Sequence, residues 1–345
     1  MDCWAGAFLD PPGAAPGRLH VLVMEGPGGE LLGVAPLYVD RSGDSRRSTL
    51  RVLGDLHVCS DYLDFPVAAG HELAFADALT HELRRAPAPG ALALAAVPDD
   101  SFIRESLLPR LASAGLWSIE MSRFSCPILA LGPDFEGAYN RKFSKLRKMG
   151  NVSLGHGGTV DDTLAGLQDL FRLHQANWTR RGEPGSFDTE EKRSFYRELA
   201  RCLVPMDRLR LYSLKVDGVT VAANLGFSLD GEWYGMQAGY DEEWSKHSVG
   251  AILQGQLLQG LISEGFRRMH FLRGGEPYKH QHWGAIDQFQ AELCVFRPGV
   301  VTLSRYYAPH MARRLRRLVR TWTRPRVAPI GNDAHRHPGA PASPR

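Results

Sequence analysis

The stretch FLRGGEPYKHQHWG, residues 271–284, concentrates side chains that can carry protons or bind ions. The chemically active residues in it are Glu276, Tyr278, Lys279, His280 and His282. A glycine-rich backbone can cradle phosphate, paired histidines can bind a metal, and a carboxylate, phenol and imidazole can exchange protons with a substrate. An ordinary polar loop has the same composition. Which of these roles the residues have therefore depends on the elements that position them.

The two histidines alone do not make a metal site. His280 and His282 alternate with Gln281, a spacing that occurs at some metals, but no third ligand follows at a recognised spacing. A protein zinc site needs at least three protein ligands. We therefore expect no metal.

A second candidate site is the junction GYDEEWSKHSVGAILQ, residues 239–254, where a predicted strand gives way to a predicted helix. The first turn of a helix leaves backbone N–H groups without partners and carries partial positive charge, so it suits phosphate oxygens. The residues expected to bind a phosphate are Lys246, His247, Ser248, Val249, Gly250 and Ala251. The alternative is that Ser248 is an ordinary helix cap and Gly250 a packing residue.

Composition limits the possible classes of protein. The 345 residues are 43% hydrophobic, enough for two modest cores, and we expect two domains. The 41 basic and 38 acidic residues give a net charge of +3, so no overall field favours nucleic acid or an anionic membrane. The five cysteines lack CxxC spacing, which is typical of free thiols in a reducing compartment. No apolar run of membrane-spanning length and no signal peptide is recognisable, so we expect a cytoplasmic protein.

The first half of the chain alternates between β-rich runs and amphipathic helices. A hairpin is predicted over residues 18–39, where two β-rich runs flank a Gly-Pro-Gly-Gly turn. Extended segments are predicted at 49–55 and 62–67, strands at 91–97 and 116–131, and helices at 71–85 and 101–114.

The second half follows the same order behind an additional opening segment. A basic helix at 135–150 and an extended run at 151–160 precede two helices, the second of which, at 189–203, has Asp188 as its expected cap. Two Asp-Gly turns then join three alternating runs into a meander. These runs are 209–216, 219–229 and 232–240, and they are followed by a helix at 248–264 and strands at 267–272 and 287–296.

The repeated order predicts a tandem duplication, with a degenerate first domain at 1–132 and a second domain at 133–300. Residues 301–324 predict a basic amphipathic helix, in which arginines surround an apolar stripe. Such a helix either covers its parent domain, which we favour, or makes peripheral contact with acidic lipid or RNA. The proline-rich segment 325–345 has no apolar pattern and is expected to be disordered.

Four stretches in order resemble the GNAT acyltransferase superfamily. They are LFRLHQANWTRRG (170–182), VDGVTVAANLGF (216–227), GYDEEWSKHSVGAILQ (239–254) and FLRGGEPYKHQHW (271–283). Within the superfamily they are most similar to the CelD-like branch associated with cellulose and exopolysaccharide biosynthesis, which is related to Fem-type aminoacyl transferases. In the first half, VAPLYV and SDYLDFPV resemble the companion domain of that branch.

The resemblance implies an α/β fold of tandem GNAT-like domains, with a mixed, mostly antiparallel splayed sheet flanked by helices. An acyl-CoA would lie in the gap between strands 232–240 and 267–272, with its pyrophosphate on residues 246–251. The usual phosphate-loop pattern is not complete, because Ser245 takes its first place and Ser248 replaces its first glycine. A charged tRNA therefore remains an alternative donor.

The resemblance also implies roles for individual residues. Tyr278 is expected to protonate the leaving thiolate, with Glu276, His280 or Asp241 as base. Gln237 and Arg273 are expected to contact the donor. His174, Trp178, Asp241 and Lys279 are expected to contact the acceptor.

The sequence therefore predicts an acyltransferase of the GNAT type, with acetyl-CoA or another acyl-CoA as donor and no metal. Its acceptor would be an amine or hydroxyl of a sugar or of a cell-envelope or exopolysaccharide precursor. One alternative is an aminoacyl-tRNA-dependent peptidyl transferase, the case in which nucleic acid would be a partner. Another is a non-catalytic accessory protein of polysaccharide biosynthesis.

Overall fold

Alternating apolar residues along both halves of the chain build a single mixed β-sheet. The structure, a computed structural model, describes residues 18–40, 49–55, 60–85, 91–132, 140–308 and 310–312. Its strands are β1 (Arg18–Glu25), β2 (Leu31–Asp40), β3 (Thr49–Val52), β4 (Ala91–Pro98), β5 (Trp117–Ala130), β6 (Val152–His156), β7 (Leu209–Val216), β8 (Val219–Leu229), β9 (Glu232–Tyr240), β10 (Arg268–His270) and β11 (Ile286–Phe296). Their spatial order is β1-β2-β3-β4-β11-β5-β10-β9-β8-β7-β6.

Helices flank this sheet, so the α/β fold expected from the sequence is confirmed. They are α1 (Glu72–Arg85), α2 (Leu108–Ser113, preceded by a π-helical turn Ile103–Leu107), α3 (Asn140–Leu146), α4 (Val160–Arg180), α5 (Glu190–Leu203), α6 (Val249–Ser263) and α7 (Pro277–Gln281). Strands β3 and β4 are parallel, as are β9 and β10, and the remaining pairs are antiparallel. The sheet is therefore mixed and mostly antiparallel, as predicted.

The repeated order of elements is visible in the sheet. In the first half, β1, β2 and β3 form a meander and β4 returns parallel to β3 after α1. In the second half, β7, β8 and β9 form a meander and β10 returns parallel to β9 after α6. This is the tandem arrangement that the sequence predicts.

The two halves exchange their last strands. Strand β5 of the first half pairs with β10 of the second, and β11 of the second half pairs with β4 of the first. Strands β5 and β11 also pair with each other along the whole of β11, from Ile286 to Phe296. The boundary at residues 132 and 133 stays a prediction, since strands from both sides of it share one sheet.

Three buried clusters hold the helices on the sheet. Leucines of α6 pack against Trp233, Met269 and neighbouring apolar residues on one face of the second half. Helices α4 and α5 cover the other face of that half, against residues such as Leu209 and Leu225. The cluster of the first half includes residues of β11, such as Leu293, so the strand exchange also joins the cores.

Two local predictions are wrong. The cap of α5 is Thr189 rather than Asp188, because Thr189 has extended backbone geometry and its side chain accepts the amide of Lys192. The Asp188 carboxylate instead lies 2.7 Å from the Lys192 ammonium. The segment 62–67 is not a strand, and Val67 makes only an isolated bridge, to Gly33.

The described residues from Gly299 onward belong to a second unit. Its described part contains two short helical turns, Val300–Thr302 and Leu303–Tyr307. Most of the helix predicted at 301–324, from residue 313 onward, and all of the segment predicted to be disordered at 325–345 lie outside the described residues.

The cysteines only partly agree with the expectation of free thiols. Cys126 and Cys294 are free and buried, and burial raises the pKa of Cys126 to about 12 and that of Cys294 to about 11. Cys202, however, is disulfide-bonded. In the described ranges, no helix combines the length and apolar character that crossing a bilayer requires.

The strand exchange predicts that the second half does not fold alone. In a fragment of residues 133–298, β11 loses both of its partners, β4 and β5, and β10 loses β5. We expect this fragment to aggregate or to unfold without cooperativity, whereas residues 1–298 give one sharp transition by circular dichroism. A soluble, cooperatively folded fragment would instead show that the halves fold independently.

Candidate active site

The gap expected between β9 and β10 is present in the sheet. The two strands pair over three residues of each strand only, ending at His270 opposite Tyr234. Strand β9 continues to Tyr240 alongside β8, whereas the chain beyond β10 turns toward β5, where Phe271 donates to Pro127 O. The edge of β9 from Gly235 to Tyr240 is thus left without a strand partner in the described chain.

Two backbone features part the strands. The β8–β9 register shifts between Leu225 and Gly226, which leaves Met236 as an additional residue in β9 just after the last pair with β10. Such a bulge bends a strand and increases its twist. On the other side, Leu272 adopts a left-handed conformation, with φ at 54°, two residues after β10 ends.

The open edge of β9 presents backbone hydrogen-bonding groups. Asp241 donates its amide to Val221 of β8, while the Tyr240 amide points the opposite way and reaches Asn177 Oδ1 at 3.1 Å. Because amides alternate along a strand, the amide of Ala238 points into the gap. Ala238 is exposed, so this N–H is accessible to a ligand.

The start of α6 lies at the end of the same β9–α6 connection. Ser248 precedes the helix with a φ of 57° and makes no side-chain cap, so the alternative in which Ser248 is an ordinary capping side chain is wrong. Ile252 donates to Ser248 O, but the amides of Val249, Gly250 and Ala251 have no acceptor among the described residues. These three amides are therefore available to an anion.

Basic side chains surround this helix start. Lys246 and His247 end the 3₁₀ turn Glu242–His247 that leads to it. Lys142 of α3, which the sequence did not associate with the site, places its Nζ 3.2 Å from Ser248 Oγ. A Cβ added at Gly250 would meet only the Tyr240 ring at 3.5 Å, so a larger side chain there would project from the first turn without backbone collision.

Lys279 organises the loop 271–284 from within. It is only 4% exposed, and its Nζ lies 2.8 Å from Gly274 O, 2.8 Å from Glu276 Oε2 and 3.4 Å from Phe271 O. An ammonium group has three protons to donate, and these three oxygens can accept them all. Lys279 therefore braces the loop, and its predicted acceptor contact has no support from this geometry.

Tyr278, the predicted acid, is accessible to solvent. It lies in α7 and is 48% exposed. Desolvation of its hydroxyl, with a smaller contribution from the Glu276 carboxylate, raises the pKa of Tyr278 to about 12. The charge of Arg181, at the end of α4, acts on Tyr278 in the opposite direction. Tyr278 thus remains a proton donor throughout the physiological range.

Three other predicted residues are held by contacts within the protein. The His280 ring lies 2.9 Å from Ala285 O and 3.5 Å from Asp287 Oδ1. Arg273 is paired with Asp61 at 3.4 Å and lies over the Phe124 ring at 3.7 Å. Asp241 caps the turn after β9 by accepting the Glu243 amide.

Helix α4 brings His174 and Trp178 beside the open edge of β9. The helix approaches so closely that a Cβ at Gly239 would lie 2.6 Å from the His174 amide nitrogen. His174 is 2% exposed, and burial lowers its pKa to about 4, with a hydrogen bond to Gln237 acting in the opposite direction. The amide of Gln237 also reaches the Tyr196 hydroxyl at 3.2 Å. Gln237 is thus a residue that positions His174 and Tyr196.

A polar cluster at the closed end of the gap did not emerge from the sequence. His270 lies 2.7 Å from Glu232 Oε2 through Nε2 and 3.0 Å from the Tyr62 hydroxyl through Nδ1. Tyr234 stacks on the His270 ring at 4.2 Å. Since Tyr62 is 208 residues from His270, only the fold brings these residues together.

No metal site is recognisable in the described ranges, where no three His, Cys, Asp or Glu side chains converge in a way that could hold an ion. His280 and His282, the two histidines considered at the sequence level, are both on the short α7 segment and its cap.

Comparison with known proteins agrees with the geometry. Residues 135–280 match the family model described as acetyltransferase (GNAT) domain. The matched segment is therefore similar to the GNAT domain. No curated protein matches the sequence significantly.

Solved structures share the fold over most of the chain. A crystal structure of FemX superposes with a TM-score of 0.58 at 12% identity, covering 84% of this chain and 90% of FemX. The C-terminal domain of a putative lysylphosphatidylglycerol synthetase from Agrobacterium fabrum gives 0.52 at 13% identity, covering 84% and 86%. L-PGS from Bacillus licheniformis gives 0.51 at 10% identity, covering 88% and 90%. At these identities the likeness concerns the fold.

The buried His174 predicts a pH-dependent contribution to stability. Its folded pKa of about 4 lies below the ordinary 6.5, so the unfolded chain binds more protons between these values. The stability due to neutral His174 is complete above pH 6.5 and is lost as pH falls toward 4. At about 1.4 kcal/mol per pH unit, the loss is roughly 3 kcal/mol.

His174→Phe keeps an aromatic ring against Phe187 and Trp178 but cannot titrate. Urea unfolding at pH 7 and pH 4.5 should therefore show a smaller loss of stability for the variant than for the unmodified protein. Equal losses in both proteins would contradict the assignment of a neutral, buried His174.

Proposed function

We propose that the chain is an acyl-CoA-dependent acyltransferase that acts in the cytoplasm, with acetyl-CoA as the expected donor. Its acceptor would be an amine or hydroxyl of a sugar or of a cell-envelope or exopolysaccharide precursor. The observation that carries the proposal is the gap between β9 and β10, which opens beside the free amides of α6 in the segment that matches the GNAT domain.

Donor binding in this proposal uses the unpaired backbone. The extended pantetheine arm, which carries amide groups, would lie along the open edge of β9. The pyrophosphate would accept hydrogen bonds from Val249, Gly250 and Ala251, and Lys142 and Lys246 would add positive charge. Arg273 would not contribute, because it is already paired with Asp61.

The chemistry requires three actions on the thioester. The Ala238 amide in the gap is suited to polarise the carbonyl, because it is a fixed donor on the open edge. Tyr278 is suited to protonate the departing thiolate, since its hydroxyl keeps its proton at neutral pH. The third action is to accept the proton of the nucleophile. The Glu276 carboxylate is paired with Lys279 and the His280 ring is held by Ala285, so this role is not assigned to either residue.

A second candidate is an aminoacyl-tRNA-dependent transferase. The observation that favours it is the basic helix α3, which carries Arg141, Lys142 and Lys145 and places Lys142 Nζ 3.2 Å from Ser248 Oγ at the start of α6. Contact of the basic segment after residue 301 with acidic lipid is compatible with either donor. Under this second candidate, tRNA rather than CoA would raise the melting temperature, and charge reversal at Lys142 and Lys145 would abolish that effect.

Gly250→Glu tests the proposed donor site. A carboxylate in the first turn of α6 would repel the pyrophosphate and occupy its place, so CoA affinity by isothermal titration should fall at least tenfold. Gly260→Glu is the matched control, because it adds the same charge to the same helix where a Cβ meets open space. Equal CoA affinity in both variants, or no CoA binding by the unmodified chain at millimolar concentration, would contradict the proposal.

Tyr278→Phe tests the proposed acid. Since Tyr278 is about half exposed, its replacement should leave the melting temperature and CoA affinity unchanged while lowering kcat by about 10- to 100-fold. With a pKa of about 12, Tyr278 should cause no loss of rate between pH 7 and 10 in the unmodified enzyme. An unchanged kcat in the variant would remove Tyr278 from the mechanism.

A further inference from the structure

The cluster of Tyr62, His270 and Glu232 has a defined direction of hydrogen bonding. Glu232 also contacts Arg268, through Nε at 2.7 Å and through Nη2, so its carboxylate is held in the ionised, accepting form. The pKa of Glu232 is lowered by these contacts with Arg268 and His270, which outweigh its desolvation. A carboxylate accepts only, so His270 must donate from Nε2.

The tautomer of His270 follows from that donation. A neutral imidazole with a proton on Nε2 has a lone pair on Nδ1, and the Tyr62 hydroxyl lies 3.0 Å from that nitrogen. The Tyr62 O–H therefore points at His270. The Gln290 side chain also acts on this hydroxyl, and the oxygen retains a lone pair that can accept a proton from another group.

Burial keeps the imidazole neutral before reaction. Desolvation lowers the pKa of His270, with the opposing influence of Glu232 not overcoming it. The groups that face this cluster are Glu232 and Tyr234 from β9, Arg268 from β10 itself, Asp61 and Tyr62 from the segment after β3 and Cys126 from β5. Glu232 is the partner that can stabilise an imidazolium when a proton arrives.

Tyr62 is held in this position by several independent contacts. Its backbone has a φ of 58°, an unfavourable conformation for an aromatic residue, which persists only where the surroundings impose it. Its amide donates to Gln290 Oε1 at 3.0 Å, and its ring packs edge-on against both His270 and Tyr234. Gln290 is fully buried, and its Nε2 has no partner within the described chain.

The cluster lies at the closed end of the gap, on the face that carries α4. His270 and Tyr234 are the last pair before β9 and β10 part. Side chains alternate along a strand, so Tyr234 and His270 point away from the face where Trp233 and Met269 pack with α6. His174 and Trp178, on α4, flank the open edge of β9 from that same opposite face.

We propose that Tyr62, His270 and Glu232 form the proton relay that activates the acceptor nucleophile. This inference rests on the proposed acyl transfer. The Tyr62 oxygen takes a proton from the acceptor amine or hydroxyl as the Tyr62 proton passes to His270 Nδ1. The nucleophile's electron pair then forms the new bond to the thioester carbonyl carbon.

The tetrahedral intermediate then collapses, which completes the transfer. The carbon–sulfur bond breaks, and the thiolate takes a proton from Tyr278. The imidazolium of His270, held by Glu232, then returns its Nδ1 proton to the Tyr62 oxygen as Tyr62 gives the proton taken from the acceptor to solvent, and solvent reprotonates Tyr278. In this scheme the first half of the chain supplies a catalytic residue, Tyr62, while His270 and Glu232 act through it as positioning and proton-accepting partners.

Tyr62→Phe is the principal test, with Tyr212→Phe as the matched control. Tyr212 is also buried, but its hydroxyl faces Arg210, on the α6 side of the sheet. The assay measures CoA release from acetyl-CoA with glucosamine and with water as acceptors, and CoA affinity by titration. We expect Tyr62→Phe to lower kcat about 100-fold while CoA affinity changes less than twofold, and Tyr212→Phe to change neither.

The pH profile separates proton transfer from simple positioning. In the unmodified enzyme, kcat should fall as acidification protonates His270, below the ordinary histidine range. His270→Asn retains an acceptor for Tyr62 but cannot take its proton, so both it and Tyr62→Phe should be slow and lack this acidic limb. A Tyr62→Phe enzyme with kcat within threefold of the unmodified value, or with the same acidic limb, overturns the relay.

Nitrogen NMR of His270 makes the test independent of turnover. The relay requires the Nε2–H tautomer, with an Nδ1 resonance that shifts in Tyr62→Phe and not in Tyr212→Phe. An Nδ1–H tautomer overturns the relay even if the enzyme is active. Conversely, an unmodified protein that binds acetyl-CoA but releases no CoA contradicts the proposed reaction, and the NMR result then decides whether the relay hydrogen bonds exist.

Discussion

The parting of β9 from β10 is the constraint on which the rest of the site depends. It follows from the bulge at Met236 and the left-handed turn at Leu272, one on each side of the gap. Backbone groups exposed in this way must find partners, because unpaired polar groups are costly unless solvent or a ligand reaches them. The gap therefore creates both a binding edge and the space for an extended ligand.

The exchange of β5 and β11 explains how residues distant in sequence meet at this gap. Strand β5 adjoins β10, so the first half lies directly beside the closed end of the opening. Tyr62 and Gln290 come from opposite halves of the chain, yet they contact each other next to His270. The donor edge belongs to the second half and Tyr62 to the first, so the complete site requires both halves.

Much of the fold was predictable because it depends on local patterns. The Asp-Gly turns and the alternating apolar runs predict the meander β7–β9, and the apolar stripe on 248–264 predicts α6. The gap between β9 and β10 is implied by the resemblance to the GNAT superfamily. The strand exchange was not predictable, since no local pattern says which partner a strand takes. The bracing of the loop 271–284 by Lys279 and the contact of Tyr62 with His270 were not predictable for the same reason, because both depend on burial and long-range packing.

A crystal structure with CoA tests the central claim most directly. The account predicts electron density for pantetheine along β9 between Gly235 and Tyr240, with the pyrophosphate on the amides of Val249, Gly250 and Ala251. Density elsewhere on the molecule, or a gap between β9 and β10 that stays empty of ligand at saturating CoA, would contradict it.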